Sequence, residues 1–194
     1  MKWGLILAVA MFVLGNALLL QYKASEDCLI PWQRDRPLTR NDFKARPVSR
    51  GAVASTVYSI YRNVAEHEGL RWKAKITTFF LCDESWMIKK WSDDAVLGHE
   101  QGHFDLAELF ARRLRKKISE ISVCSEGEAG LVLDSLYKIN QGEMDQWQDE
   151  YDNASDHSMD KEGQKKWNLK IKGRLDSLSA YLGTEISFKI CGEK

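Results

Sequence analysis

One apolar stripe constrains this chain more than any other feature. His103, Ala107, Phe110, Leu114, Ile118 and Ile121 recur at steps of four, three, four, four and three residues, the period of an amphipathic helix with one face turned to a protein interior. Ser92-Asp93-Asp94 offers an N-cap and two acids for a first turn, so the spacing predicts a helix from there to about residue 121. Inside it stands His99-Glu100-Gln101-Gly102-His103-Phe104-Asp105. A four-residue step turns a helix by about 400°, which puts the imidazoles of His99 and His103 one above the other, as a single metal ion requires. Because His103 continues the apolar stripe, that metal-facing side is turned toward the protein body. Zinc takes neutral imidazole nitrogens, and its catalytic sites commonly pair three protein ligands with one open position. Glu100 follows the first histidine. In an HExxH helix it lies beside the ligands, where it can take a proton from water attacking a carbonyl.

The rest of the chain predicts an α+β fold: a small, mainly antiparallel sheet packed with the HExxH helix and two further helices, in a zincin-like arrangement. Ala52 to Tyr61 and Trp72 to Cys82 alternate as strands, and His67 falls in the polar connection between them, where a solvated histidine is expected. If the strand ending near Leu81 lies at a sheet edge, it could pair with an extended peptide. After a break at Gly127 to Gly130, a second helix carries Leu133, Leu136, Tyr137, Met144, Trp147 and Tyr151. A third begins near Lys165 with Trp167, Ile171, Leu175, Leu178 and Leu182 on one face, and Glu185 to Ile190 closes the chain as a strand. The run Arg112-Arg113-Leu114-Arg115-Lys116-Lys117 reads as a solvated helix terminus complementing the helix dipole.

Compartment is set by the first residues and the cysteines. Lys2 precedes an uncharged, mostly apolar run from Trp3 to Leu20, so residues 1–24 are a signal peptide, with Gly15-Asn16-Ala17 near its cleavage site, or an uncleaved membrane anchor. The domain at 28–194 then lies outside the cytoplasm, periplasmic or secreted. There, Cys28, Cys82, Cys124 and Cys191 permit two disulfides in three connectivities. With 28 basic and 28 acidic residues the chain has no net charge to draw it to nucleic acid. Contact with a membrane is expected only through the N-terminal segment, if it is uncleaved.

Two histidines need a third donor. Asp105 lies about 200° around the helix from His103 and is suited to packing or to supporting a ligand, and Glu108 is poorly aimed as well. His157 lies in a turn-like stretch between two helices, with Glu143, Glu150, Asp152, Asp156 and Asp160 as competing carboxylates. Tyr151 is a candidate donor to a developing oxyanion, against the simpler reading of a packed aromatic.

Four stretches together resemble a bacterial family of predicted secreted zinc-dependent proteases, long catalogued as a domain of unknown function. They are Trp32 with Leu38-Thr39 and Asp42-Phe43; Ser85-Trp86; His99 to Asp105; and Tyr151-Asp152-Asn153-Ala154-Ser155-Asp156-His157-Ser158 with Gln164 and Trp167. The last is similar to the family's YDxxTxHG segment, with Ser155 where threonine is usual and Ser158 where glycine is usual. The resemblance covers roughly residues 30 to 170 and implies that His157 joins His99 and His103 at zinc. The expected function is hydrolysis of peptide bonds in a peptide or protein substrate by a zinc-activated water, with Glu100 as general base. The alternatives are an envelope-tethered binding or scaffold domain with structural zinc, and a metal-dependent hydrolase of a non-peptide envelope bond.

Overall fold

The computed structural model describes residues 28–48, 51–68 and 71–191, so the signal or anchor segment lies outside the described residues. The strands are β1 (Leu29–Pro31), β2 (Ala54–Ser55), β3 (Tyr58–Glu68), β4 (Arg71–Leu81), β5 (Trp86–Met87), β6 (Ser122–Val123) and β7 (Glu185–Ile190). The helices are α1 (Asp94–Ser119), α2 (Glu126–Ser155) and α3 (Lys161–Ser177), followed by a 3-10 turn at Ser179–Tyr181. The fold is α+β with three helices and small mixed sheets. No helix among the described residues is long and apolar enough to cross a membrane.

β4 is the spine of the larger sheet. β3 pairs along one edge of it, from Tyr58 opposite Phe80 to Glu68 opposite Arg71. The other edge is shared by β1, at Phe79 to Leu81, and β7, at Arg71 to Lys75. The strand ending near Leu81 is therefore interior and has no edge to offer a peptide. β6 joins β7 in parallel, the one parallel pair in an otherwise antiparallel sheet, and β2 pairs with β5 in a separate two-stranded ribbon.

The expected strand over Ala52 to Tyr61 is broken where the chain changes partners. β2 lies against β5, but the Val57 carbonyl accepts from the Leu81 amide at 2.9 Å, which hands the chain over to β4. β3 then runs past a register shift between Ala65 and His67, so His67 belongs to a strand and not to a loop.

Capping decides the helix bounds. Asp93, one residue past the expected cap, accepts the Val96 amide of α1 at 3.0 Å. α2 runs straight through Gly127 and Gly130 because Ser125 accepts the Glu128 amide while the Glu128 carboxylate accepts the Cys124 amide at 2.7 Å. These two bonds, a variant of the capping box in which the glutamate reaches one residue further back, outweigh the cost of two glycines near a helix start. Asp160 caps α3, which starts at Lys161, four residues earlier than expected. α3 also ends at Ser177, which leaves Leu182 off its face and 46% exposed. A disulfide joins Cys124, just before α2, to Cys191, just after β7.

α1 lies at the centre. One side packs on the sheet and the first half of α2 through Ala107, Phe110, Leu114 and Ile118 with Ile60, Ile76, Leu133, Met144 and Phe188. Another packs on α2 and α3 through Leu106 and Leu109 with Tyr151, Trp167, Ile171 and Leu175. Each such side chain taken fully out of water contributes about 1.5–3 kcal/mol, so the helix carrying the motif is anchored on most of its circumference. The basic run is not a solvated terminus throughout. Arg112 and Arg115 are 0% and 1% exposed and both bind Glu108, while Arg113, Lys116 and Lys117 keep partial access to water.

Candidate metal centre

The N-terminal half of α1 meets the last turns of α2 and the start of α3. On α2 the buried face that carries Met144 and Tyr151 also carries Gln148, Asp152 and Ser155, and each of these polar groups finds its partner around the α1 histidines. The Gln148 side chain grips His103 twice: its Oε1 accepts from Nδ1 at 2.6 Å and its Nε2 donates to the His103 carbonyl at 3.1 Å. Gln164 of α3 does the same work for His99. Its Oε1 accepts from Nδ1 at 3.0 Å, and its Nε2 donates to the Tyr151 hydroxyl and to Asn168 Oδ1.

These amides fix the tautomers. An amide oxygen only accepts, so both imidazoles carry a hydrogen on Nδ1, and in the neutral ring, the form a metal takes, Nε2 is a bare lone pair. The two Nε2 atoms stand 3.1 Å apart, and Asp152 Oδ1 lies 3.1 Å from that of His99 and 3.0 Å from that of His103. Three acceptors thus converge with no hydrogen between them, and Oδ1 of Asp152 and Oε2 of Glu100 are buried oxygens with no hydrogen-bond partner. A cation satisfies the two Nε2 atoms and the Asp152 oxygen at once. Two ligands at about 2.0–2.1 Å from a tetrahedral ion lie about 3.3 Å apart, so the donor set fits zinc with shifts of a few tenths of an ångström. His99, Asp152 and His157 also form a group able to hold a metal ion, with ligand atoms all within 4.8 Å of one another.

The field at the site favours positive charge. α2 ends here with the partial negative charge of its C-terminus. Burial pushes the His103 imidazolium down, but the Asp152 carboxylate, then Glu100, outweigh it and lift the group above its ordinary value. Burial pushes the Asp152 carboxyl up, and His103 and His99, when protonated at Nε2 in the metal-free protein, outweigh that by hydrogen bonding and charge and hold it well below the usual carboxylate range.

His157 stands further out than the sequence reading placed it. Its side chain is 69% exposed, with Nδ1 3.6 Å from Asp152 Oδ1 and its ring centroid 6.4 Å from that of His99. The corner nearest both α1 histidines belongs to Asp152, which the sequence reading held only as a competitor. The signal was present in the helical spacing, since Gln148, Asp152 and Ser155 put polar groups on a buried stripe that must find partners. After α2 the chain turns through three left-handed residues, Asp156, His157 and Ser158, at φ of 46°, 50° and 80°. Ser158 adopts a conformation that favours glycine. The Ser155 hydroxyl lies 3.3 Å from His99 Nδ1.

Tyr151 is not placed to serve an oxyanion. It is fully buried, its ring stacks on His99 with centroids 4.7 Å apart, and its one hydroxyl hydrogen goes to the His99 carbonyl at 3.1 Å. It positions the first ligand. Gly102 is required by the same contact, because a Cβ there would fall on the Tyr151 hydroxyl. The rest of the motif is structural too. Asp105 accepts from the Trp32 indole and from Gln101 Nε2, both at 2.7 Å, and Gln101 Oε1 accepts from the Leu38 amide at 2.7 Å. Gln101 and Asp105 therefore strap the N-terminal segment across α1.

A cavity of about 610 Å³ opens on the cluster. It is lined by His99, Glu100, His103 and Asp152, by residues 51–56, and by His157, Ser158 and Met159. Tyr58, a phenol absent from the sequence-based site, also lines it, and burial, followed by the charge of Asp145, pushes its hydroxyl up to about 12, so it stays protonated. Glu100 is 5% exposed and keeps its unpartnered oxygen beside the converging acceptors.

Comparisons find no match. No family model, no curated protein and no solved structure matches the chain.

Proposed function

We propose that this chain is a zinc-dependent peptidase that works outside the cytoplasm, with zinc held by His99, His103 and Asp152 and with His157 further out. The observation that carries the reading is the convergence of two tautomer-fixed Nε2 atoms and one carboxylate oxygen beside an unpartnered glutamate. Two imidazoles and a carboxylate are a donor set zinc takes in catalytic sites. Bound there, zinc supplies Lewis acidity, polarising a carbonyl and making water acidic near neutral pH. Glu100 takes a proton from the attacking water and returns it to the leaving amine. Gln148 and Gln164 hold the imidazoles in the tautomer that leaves Nε2 free, and burial keeps bulk water away from them.

The stretch 51–56 suits an extended peptide. Just before β2 the Val53 carbonyl accepts from the Ile88 amide of the neighbouring segment, and alternation along an antiparallel pair turns the amide and carbonyl of Ala54 away from β5. Ala54 lines the cavity, so a substrate backbone could add there as a further strand. The Cys124–Cys191 disulfide supports an oxidising compartment.

A second reading, structural zinc in an envelope scaffold, draws support from His157, which would close the coordination sphere as a fourth ligand. One experiment separates the two. The purified chain and its Glu100→Ala variant are measured for zinc and assayed on a peptide library. The peptidase reading expects zinc in both and cleavage by the wild type alone; zinc in both with cleavage by neither overturns it in favour of the scaffold.

A further inference from the structure

We propose that Cys28 and Cys82 are a second disulfide site, whose oxidation locks the N-terminal strap onto the helix that carries the metal ligands. The register of β1 on β4 runs Leu29 opposite Leu81 and Ile30 opposite Phe80, and its next step brings Cys28 opposite Cys82. The Cys82 amide donates to the Cys28 carbonyl at 3.0 Å, which extends the ladder by one main-chain hydrogen bond. Residues opposite each other across an antiparallel pair hold their Cα atoms about 4.5–5.5 Å apart, and disulfides usually span about 4.4–6.8 Å. The two thiols are hydrogen-bonded to each other and both are buried, at 6% and 2% exposure. The chain has four cysteines and the other two are already joined, so each of these thiols has only the other as an intramolecular partner.

The position gives the bond a purpose. β1 is three residues long, and the segment after it reaches α1 through Trp32 on Asp105 and Leu38 on Gln101. A strand that short is weakly held by its ladder alone. A bond from Cys28 to Cys82 closes the loop over residues 28–82 and removes the freedom with which the strap could peel from the motif helix.

Burial pushes the Cys82 thiol up to about 12, so Cys28 is the thiol that reacts first. The Cys28 thiolate attacks one sulfur of an external disulfide, such as oxidised glutathione or an oxidised thiol–disulfide oxidoreductase. That disulfide breaks, its leaving sulfur takes a proton, and Cys28 is left in a mixed disulfide. Cys82 then gives up its proton, attacks the Cys28 sulfur and expels the second external thiol. Two protein thiols are oxidised and one external disulfide is reduced to two thiols.

The test uses the full chain equilibrated with oxidised glutathione, alkylated, digested without reduction and mapped by mass spectrometry. The proposal expects a peptide linking Cys28 to Cys82 beside one linking Cys124 to Cys191. Alkylated Cys28 and Cys82, or Cys28 left as a glutathione adduct, overturns it. In a Cys124→Ala/Cys191→Ala variant, a reductant should still lower the melting temperature by roughly 5–15 °C, and an unchanged melting temperature contradicts the proposal. If that variant fails to fold, the wild-type peptide map decides. Neither readout involves zinc or peptide cleavage.

Discussion

α1 carries two buried charged clusters, built in opposite ways. Around Glu108 the cluster is closed about the carboxylate, with Arg112 Nη2 left as a buried atom without a hydrogen-bond partner. Glu108 Oε1 accepts from Arg112 Nε and Arg115 Nη1, both at 2.9 Å, and its Oε2 accepts from the Thr78 hydroxyl and Arg115 Nη2. The arginines spend further hydrogens on the carbonyls of Leu175, Ile76 and Tyr181, and Arg112 lies 5.0 Å over the Trp32 ring. Around His99 and His103 the cluster is open. Acceptors face acceptors, two buried oxygens lack a donor, and the chain beside them is held in a strained left-handed turn. Charge matched to charge within the protein binds sheet, α1 and α3 together; charge left unmatched marks where something from outside is held.

The contrast is broken most severely at the closed cluster. Glu108→Gln leaves two buried guanidinium groups without their carboxylate and should cost about 3–5 kcal/mol in chemical denaturation, with zinc stoichiometry per folded molecule unchanged. At the open cluster the effect moves from folding to metal. Gln148→Ala frees the His103 ring and should weaken zinc binding about 10–100-fold in competition with a chromophoric chelator, while the metal-free melting temperature shifts little.

pH sharpens the same difference. The His103 group is lifted above its ordinary value, so its contribution to the metal-free fold is full below the unfolded imidazole value of about 6.5 and is lost as pH rises through the folded one. Zinc needs neutral imidazoles and binds more tightly over that rise. The gap in melting temperature between zinc-loaded and chelator-treated protein should therefore widen from about pH 5.5 to about pH 8. A constant gap contradicts the ligand assignment. The smallest effect belongs to the strained turn: Ser158→Gly should raise stability by roughly 0.5–1 kcal/mol in the same denaturation assay.

What the sequence showed and what it hid follow from how far each interaction reaches. The stripe from His103 to Ile121 and the HExxH spacing are local, and α1 formed with its histidines turned inward. Arg112 and Arg115 looked like solvent-facing charges because their partners, the carbonyls of Ile76, Leu175 and Tyr181, come from distant strands and turns. The break expected at Gly127 to Gly130 did not allow for the cap that Ser125 and Glu128 supply just before it. Asp152 was held only as a competitor because imidazole is the commoner zinc donor and the resemblance implied His157; the fold keeps both in one group with His99. How near each comes to His99 and His103 depends on where α2 ends and how the chain leaves it, and that is set by the left-handed cap at Asp156.

The most direct measurement is the zinc content of the purified wild-type chain and its Asp152→Asn variant, loaded with zinc and dialysed into metal-free buffer. The account predicts one zinc per wild-type chain and almost none in the variant, with both folded by circular dichroism. A wild type that emerges without zinc, or an Asp152→Asn chain that keeps a full equivalent, contradicts it.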